Sequence, residues 1–294
     1  MDGTHISAQL THSATVLIIG CGDLGTEAGL RFTAAGYRVV GWRRSPELLP
    51  DPIEGVEADL ARELPVIPPE TEIIILTAAA DERTREAYEI AYSGAVERLV
   101  HALNRDGVTP ERVLFVSSTT VYSDDDGSVV DESTPAVPGS ETGRAVREAE
   151  RLLHARLPGS VVLRLAGIYG PGRTRLIDQV RSGSAELPAN PRMTNRIHRD
   201  DAAAAIVHLT TTSTAPEPIY VGVDNEPVDL REVLEFLASR LGQELFEGTP
   251  SERSRGGNKR CSNALLRASG FEFIYPTYRE GYNAILAGEG ERHG

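Results

Sequence analysis

The chain alternates short, wholly apolar runs with longer stretches whose apolar positions recur every three or four residues. Thr15-Val16-Leu17-Ile18-Ile19 is the first run. Its β-branched residues and short length predict a strand buried on both faces. Leu24, Ala28, Leu30, Phe32 and Ala35 follow at helical spacing and stop at Gly36. Further strands are expected over residues 37–42, 56–58, 71–77, 112–117, 161–165 and 219–223. Tyr88, Ala91, Tyr92, Ala95, Leu99 and Leu103 predict one long helix from Asp81, closed by Asp106-Gly107. Other helices are expected over 142–154, from Arg196 to about Leu209, and over 230–241. The proline-rich stretch 64–69 argues against a long crossover helix there. Strands alternating with helices imply an α/β fold built on a doubly wound parallel sheet. After Gly170 the loops lengthen and prolines become more frequent, which marks a second, smaller region.

Between the first strand and the first helix stands Gly20-Cys21-Gly22-Asp23-Leu24-Gly25. A GxGxxG turn in that frame is a dinucleotide-binding fingerprint. Gly20 permits the tight turn, Gly22 the approach of backbone to a pyrophosphate, and Gly25 close helix–strand packing. The helix N-terminus adds partial positive charge. Asp23 and Leu24 complete the turn. At the end of the second strand, where a carboxylate would hold a ribose 2′-hydroxyl, the chain has Arg43 and Arg44. A guanidinium binds a 2′-phosphate bidentately, so NADP is the expected cofactor, with NAD as the alternative. Asp59 and Leu60 follow the third strand, where the carboxylate could accept from the adenine amino group. Thr77, Ala78 and Ala79 end the fourth, small enough for a cofactor to lie close.

The fifth strand runs into Ser118-Thr119-Thr120-Val121-Tyr122, hydroxyls at the carboxyl end of a strand, where open α/β sheets bind ligands. Tyr169 follows the sixth strand. A net charge of −13 argues against a nucleic-acid or membrane-surface partner. No run is long enough to span a bilayer. Cys21 and Cys261 form neither a disulfide framework nor a metal spacing, and no metal is assigned; Asp124-Asp125-Asp126-Gly127 reads first as a solvated turn. Residues 1–13 are polar and read as a loose extension. Together these favour a cytoplasmic protein with a small-molecule substrate.

Five stretches resemble the short-chain dehydrogenase/reductase superfamily, most closely its extended and atypical branch of NAD(P)-dependent epimerase/dehydratase-like proteins. They are the glycine turn, Val116–Tyr122 with its hydroxyl row, Arg164-Leu165 through Gly170-Pro171-Gly172, Ile197-His198-Arg199-Asp200-Asp201-Ala202, and Ile219-Tyr220-Val221-Gly222 with Asn225-Glu226-Pro227. The resemblance implies a Rossmann domain over 14–168 with a return segment at 197–223. A smaller C-terminal α/β substrate domain over 169–196 and 224–294 would complete it, with the active site between. The family uses a Ser or Thr, matched by Ser118, and a Tyr-x-x-x-Lys on the next helix. Here the tyrosine position falls on Thr142 and the lysine position on Val146. Lys259 is the only lysine, and the residue four before it is Arg255. Relocated proton-transfer groups are therefore sought among Ser118, Thr119, Tyr122 and Tyr169, with Arg144 or Arg147 as a charge source. His198 is expected to form structural hydrogen bonds. Arg173, Arg175, Arg192, Arg196 and Lys259-Arg260 are the substrate-side cations. Three functions remain open: an oxidoreductase or epimerase/dehydratase-like enzyme on a carbonyl, hydroxyl or sugar-nucleotide substrate, a non-catalytic NAD(P)-binding sensor, and an enzyme of another class holding the cofactor structurally. The helices over 81–104 and 142–154 offer a homodimer face.

Overall fold

The computed structural model describes residues 14–212, 215–248 and 257–294. The expected N-terminal extension lies outside the described residues, as does most of the polar stretch 251–258. Seven parallel strands form the central sheet: β1 (Thr15–Ile19), β2 (Arg38–Arg43), β3 (Glu54–Glu57), β4 (Thr71–Leu76), β5 (Arg112–Ser118), β6 (Val161–Leu165) and β7 (Ile219–Gly222), in the order β3-β2-β1-β4-β5-β6-β7. In register, Val16 lies beside Val39 on one side and Ile73 on the other.

Strand alternation sorts the core. Val16 and Ile18 face one side and pack with Ala28 and Phe32 of α1 (Asp23–Ala34) and Ile206 and Leu209 of α6 (Arg199–Thr211). Leu17 and Ile19 face the other, against Leu99 of α3 (Ser93–Asp106) and Leu153 of α4 (Glu141–Arg156). Both faces are covered, which is why the central strands β1, β4 and β5 are largely apolar, whereas the edge strand β3, Glu-Gly-Val-Glu, is mostly exposed. This is the Rossmann-type doubly wound architecture. From β3 the chain returns without a helix to β4, on the far side of β1. The connections leaving β1 and β4 therefore part at their carboxyl ends and open a crevice.

The expected single helix from Asp81 is two: α2 (Arg85–Ala91) and α3. Tyr92 between them has φ −107° and ψ −79°. The Ser93 hydroxyl donates to the Glu89 carbonyl at 3.1 Å, a back-bond that bends helices. A separate apolar cluster joins Ile177 and Val180 of α5 (Arg175–Arg181), Val233 and Leu237 of α7 (Leu230–Leu241), and Tyr278 and Tyr282 of α9 (Tyr278–Leu286). Between α7 and α9 lies the short α8 (Ala264–Ala268).

The chain past Gly281 is polar in composition, yet it stays helical to Leu286. Helix α9 carries a reciprocal cap between Thr277 and Glu280, and it buries Tyr278, Gly281, Tyr282 and Ala284. Beyond it the chain returns to α1.

Candidate functional site

The glycine turn hangs from β2: the Gly20 and Cys21 amides both donate to the Trp42 carbonyl, at 3.0 and 2.9 Å. Gly20 has φ +80°, and a Cβ there would stand 3.1 Å from the Ala78 backbone. A Cβ on Gly25 would stand 3.0 Å from Ile18 Cγ2 and Thr77 Oγ1. The Thr77 hydroxyl donates to the Gly20 carbonyl at 2.8 Å, joining the ends of β1 and β4. Gly22 caps α1 without a side-chain bond. The first-turn amides of a helix have no intrahelical partner.

Above this turn lies a cleft of about 950 Å³. All twelve residues expected to hold a cofactor line it: Gly20, Gly22, Asp23, Leu24, Gly25, Arg43, Arg44, Asp59, Leu60, Thr77, Ala78 and Ala79. Asp23 would oppose an anion were its charge free. It accepts instead from Arg173 Nε at 2.7 Å and from Arg199 Nη1 at 2.9 Å. Burial works against its ionised form, but these guanidiniums outweigh that and hold its pKa below the ordinary carboxylate value. Arg44 forms a bidentate pair with Asp81 at 2.7 and 2.8 Å, both side chains 65% exposed. Such a pair contributes little and yields readily to a better anion. Arg43 Nη1 donates to the Gly294 backbone oxygen at 2.6 Å. The turn, its amides and the two arginines are therefore compatible with a dinucleotide.

The reacting end is less rich than expected. Ser118 lines the cleft, its hydroxyl accepting from the Thr120 amide at 3.2 Å. Thr119 begins the single 3-10 turn that follows. Tyr122 is withheld from the cleft: it is 2% exposed, donates to the Asp131 carbonyl at 2.7 Å and accepts from Arg164 Nη1 at 2.6 Å. Burial pushes its pKa up to about 12, with Arg164 acting in the opposite direction. Tyr169 is also withheld, its ring packed against His198 and Tyr282 and its hydroxyl buried against Gly281. Burial, then the nearby Asp224 and Tyr282, raises its pKa far from neutrality. Neither phenol is poised to ionise.

Thr142 sits in the first turn of α4, its hydroxyl 3.3 Å from Ser140 Oγ. Val146 is fully buried, in a cluster with Tyr122, Ala166 and Val221. Arg144 pairs with Glu141, and Arg147 with Glu150. His198 caps α6 by accepting from the Asp200 amide at 3.2 Å. Burial lowers its pKa to about 4, which leaves it neutral near pH 7. Of the expected substrate-side cations, Arg173 lines the cleft, whereas Arg196 and Lys259 are buried, Lys259 donating to the Tyr122 carbonyl at 2.9 Å. Tyr92, part of the helical apolar pattern, packs on the core beside Phe115 and also reaches the cleft wall at the α2–α3 break. Arg292, His293 and Gly294 line it too, and no local signal in the chain announces them.

A family description, NAD dependent epimerase/dehydratase, matches residues 16–222. The chain belongs to the NAD-dependent epimerase/dehydratase family. A Methylobacillus flagellatus family protein, provisionally described as an NAD-dependent epimerase/dehydratase, is 38% identical in a solved structure. It aligns over 94% of this chain and 98% of its own with a TM-score of 0.77. Protein YeeZ of Escherichia coli K12 is 29% identical over 272 residues, 89% of this chain and 96% of YeeZ. MoeE5, solved with UDP-glucuronic acid and NAD, is 23% identical over 92% of this chain and 96% of its own. Its TM-score of 0.79 shows a shared fold. Among the described residues, no helix is long and apolar enough to cross a membrane.

Proposed function

We propose that the chain is an NAD(P)-dependent enzyme of the epimerase/dehydratase type, acting on a carbonyl, hydroxyl or sugar-nucleotide small molecule, with NADP preferred. One observation carries this: residues from four separate segments, at the ends of β1, β2, β3 and β4, converge on one cleft that also contains Ser118. MoeE5, of the same fold, is solved with a sugar nucleotide and NAD, which supports that substrate class. Gly20, Gly22 and the α1 N-terminus would hold the pyrophosphate, Arg43 and Arg44 the 2′-phosphate, and Asp59 the adenine edge. A nicotinamide held there would supply a hydride acceptor or donor. Ser118 would orient and hydrogen-bond a substrate oxygen, with Thr119 beside it. Tyr122 and Tyr169 brace the walls rather than exchange protons, because their hydroxyls are buried. The α2–α4 face, where Ile90 is exposed among Arg85, Arg98, Arg144 and Glu148, would serve a homodimer. We place the protein in the cytoplasm.

Ser118→Ala is expected to lower kcat/KM on the order of 10²-fold, the smaller end of general acid–base effects, without weakening cofactor binding. A panel of carbonyl and sugar-nucleotide substrates, followed by nicotinamide absorbance, checks this. Unchanged turnover would remove Ser118 from the chemistry. Arg43→Ala is expected to weaken NADP by about tenfold, the worth of one charge-assisted contact, and to leave NAD within about twofold. Calorimetric titration reads both affinities, and equal losses would reverse the cofactor assignment.

A second reading is favoured by one specific observation. Val146, at the position that the family resemblance assigns to lysine, is sealed in the core. A cofactor-binding sensor would bind NAD(P), turn over nothing in the panel, and bind a protein partner with an affinity set by the cofactor state.

A further inference from the structure

The segment 290–294 crosses the cofactor cleft, held by contacts from four parts of the fold. Gly290 packs on Pro171. The Glu291 carbonyl accepts from Arg199 Nη2 at 2.9 Å. Arg199 is 1% exposed and also binds Asp23 and Asp200, so this anchor is rigid. The His293 amide lies 3.3 Å from Asp23 Oδ1, and its ring Nε2 lies 2.9 Å from Glu27 Oε2. The strap then reaches β2, where the Gly294 oxygen takes Arg43. Arg44 already holds Asp81. Thus the two guanidiniums suited to a 2′-phosphate each hold an acceptor of the protein itself, and at Arg43 that acceptor belongs to the strap.

We propose that segment 290–294 is a cofactor-specificity element, whose Gly294 oxygen competes with the 2′-phosphate of NADP for Arg43. The proposal rests on the assignment of Arg43 to that phosphate. A dinucleotide without the phosphate makes no demand on Arg43 and leaves this contact in place. Any crowding by the strap over the α1 N-terminus affects both dinucleotides alike, because both carry the same pyrophosphate. The ratio of NADP to NAD affinity therefore isolates the competition. Guanidinium hydrogen bonds are strong when one partner is charged, so releasing Arg43 should shift that ratio measurably.

The test titrates NADP and NAD calorimetrically into the full chain, into a variant lacking residues 291–294, and into His293→Ala. The last keeps the strap's length and removes its Glu27 anchor, so it decides the matter even if the shortened chain misfolds. The proposal expects the NADP-to-NAD affinity ratio to rise about tenfold in the shortened chain, the worth of one such contact, and to rise less in His293→Ala. An unchanged or lower ratio in both, with Arg43→Ala still lowering it in the full chain, overturns the competition and leaves the assignment of Arg43 standing. A ratio insensitive to Arg43→Ala overturns that assignment and the competition with it.

Discussion

Arg164→Ala is expected to cost about 3–5 kcal/mol of folding stability, the usual loss when one partner of a buried ion pair is removed. Arg164 is 2% exposed and Glu150 fully buried. The guanidinium donates to both Glu150 oxygens, Nε to Oε1 at 2.9 Å and Nη2 to Oε2 at 2.7 Å. Its Nη1 holds the Tyr122 hydroxyl, and Ser117 donates to Glu150 at 2.6 Å. Truncation would leave a buried carboxylate with only the partly exposed Arg147 guanidinium as counter-charge, on one oxygen, and a phenol short of a donor. Since a domain has about 5–15 kcal/mol in total, the variant should unfold at far lower urea with an unchanged m-value. A double variant, Arg164→Met with Glu150→Leu, should recover part of the loss, because apolar groups of similar volume carry no stranded charge. A single-variant loss below about 1 kcal/mol would show that the pair is solvated in solution. The network also bears on the site, because Ser117 and Ser118 are the last residues of β5.

Gly20→Ala is expected to weaken NADP and NAD alike by about a hundredfold, close to 2.7 kcal/mol in binding. An L-residue at φ +80° is strained by roughly 1–2 kcal/mol. Its Cβ would also press on the Ala78 backbone, which is main chain and cannot rotate away. The turn must then shift, and with it the amides that would meet a pyrophosphate. The apolar core of β1 is untouched, so the variant should still fold. Titration of the folded variant checks the effect, and affinities within about threefold of the parent chain would separate the turn from cofactor binding.

Much of the cleft is legible in the chain itself because parallel sheets place the ends of their strands on one edge. Once β1, β2, β3 and β4 are read, the residues immediately after them must gather there, as Gly20, Arg43, Asp59 and Thr77 do. What a run of letters does not carry is the direction of a side chain after a strand has ended. Tyr122 and Tyr169 sit at suitable positions, yet a 3-10 turn and the packing of α9 bury both. The strap is harder still. His293 meets Glu27 across 266 residues, and nothing local to either marks the encounter. Polar composition after Gly281 gives no sign of packing, yet Tyr282 and Ala284 are buried there. The break at Tyr92 was hidden because the apolar spacing continues through it, and the Ser93 back-bond is a side-chain choice.

The most direct test of the central claim is a calorimetric titration of the full chain with NADPH, NADP, NADH and NAD, after removal of any cofactor that copurifies. Saturable binding of one dinucleotide per chain, tighter for the 2′-phosphorylated pair, is the expected result. Absence of binding by all four would contradict it.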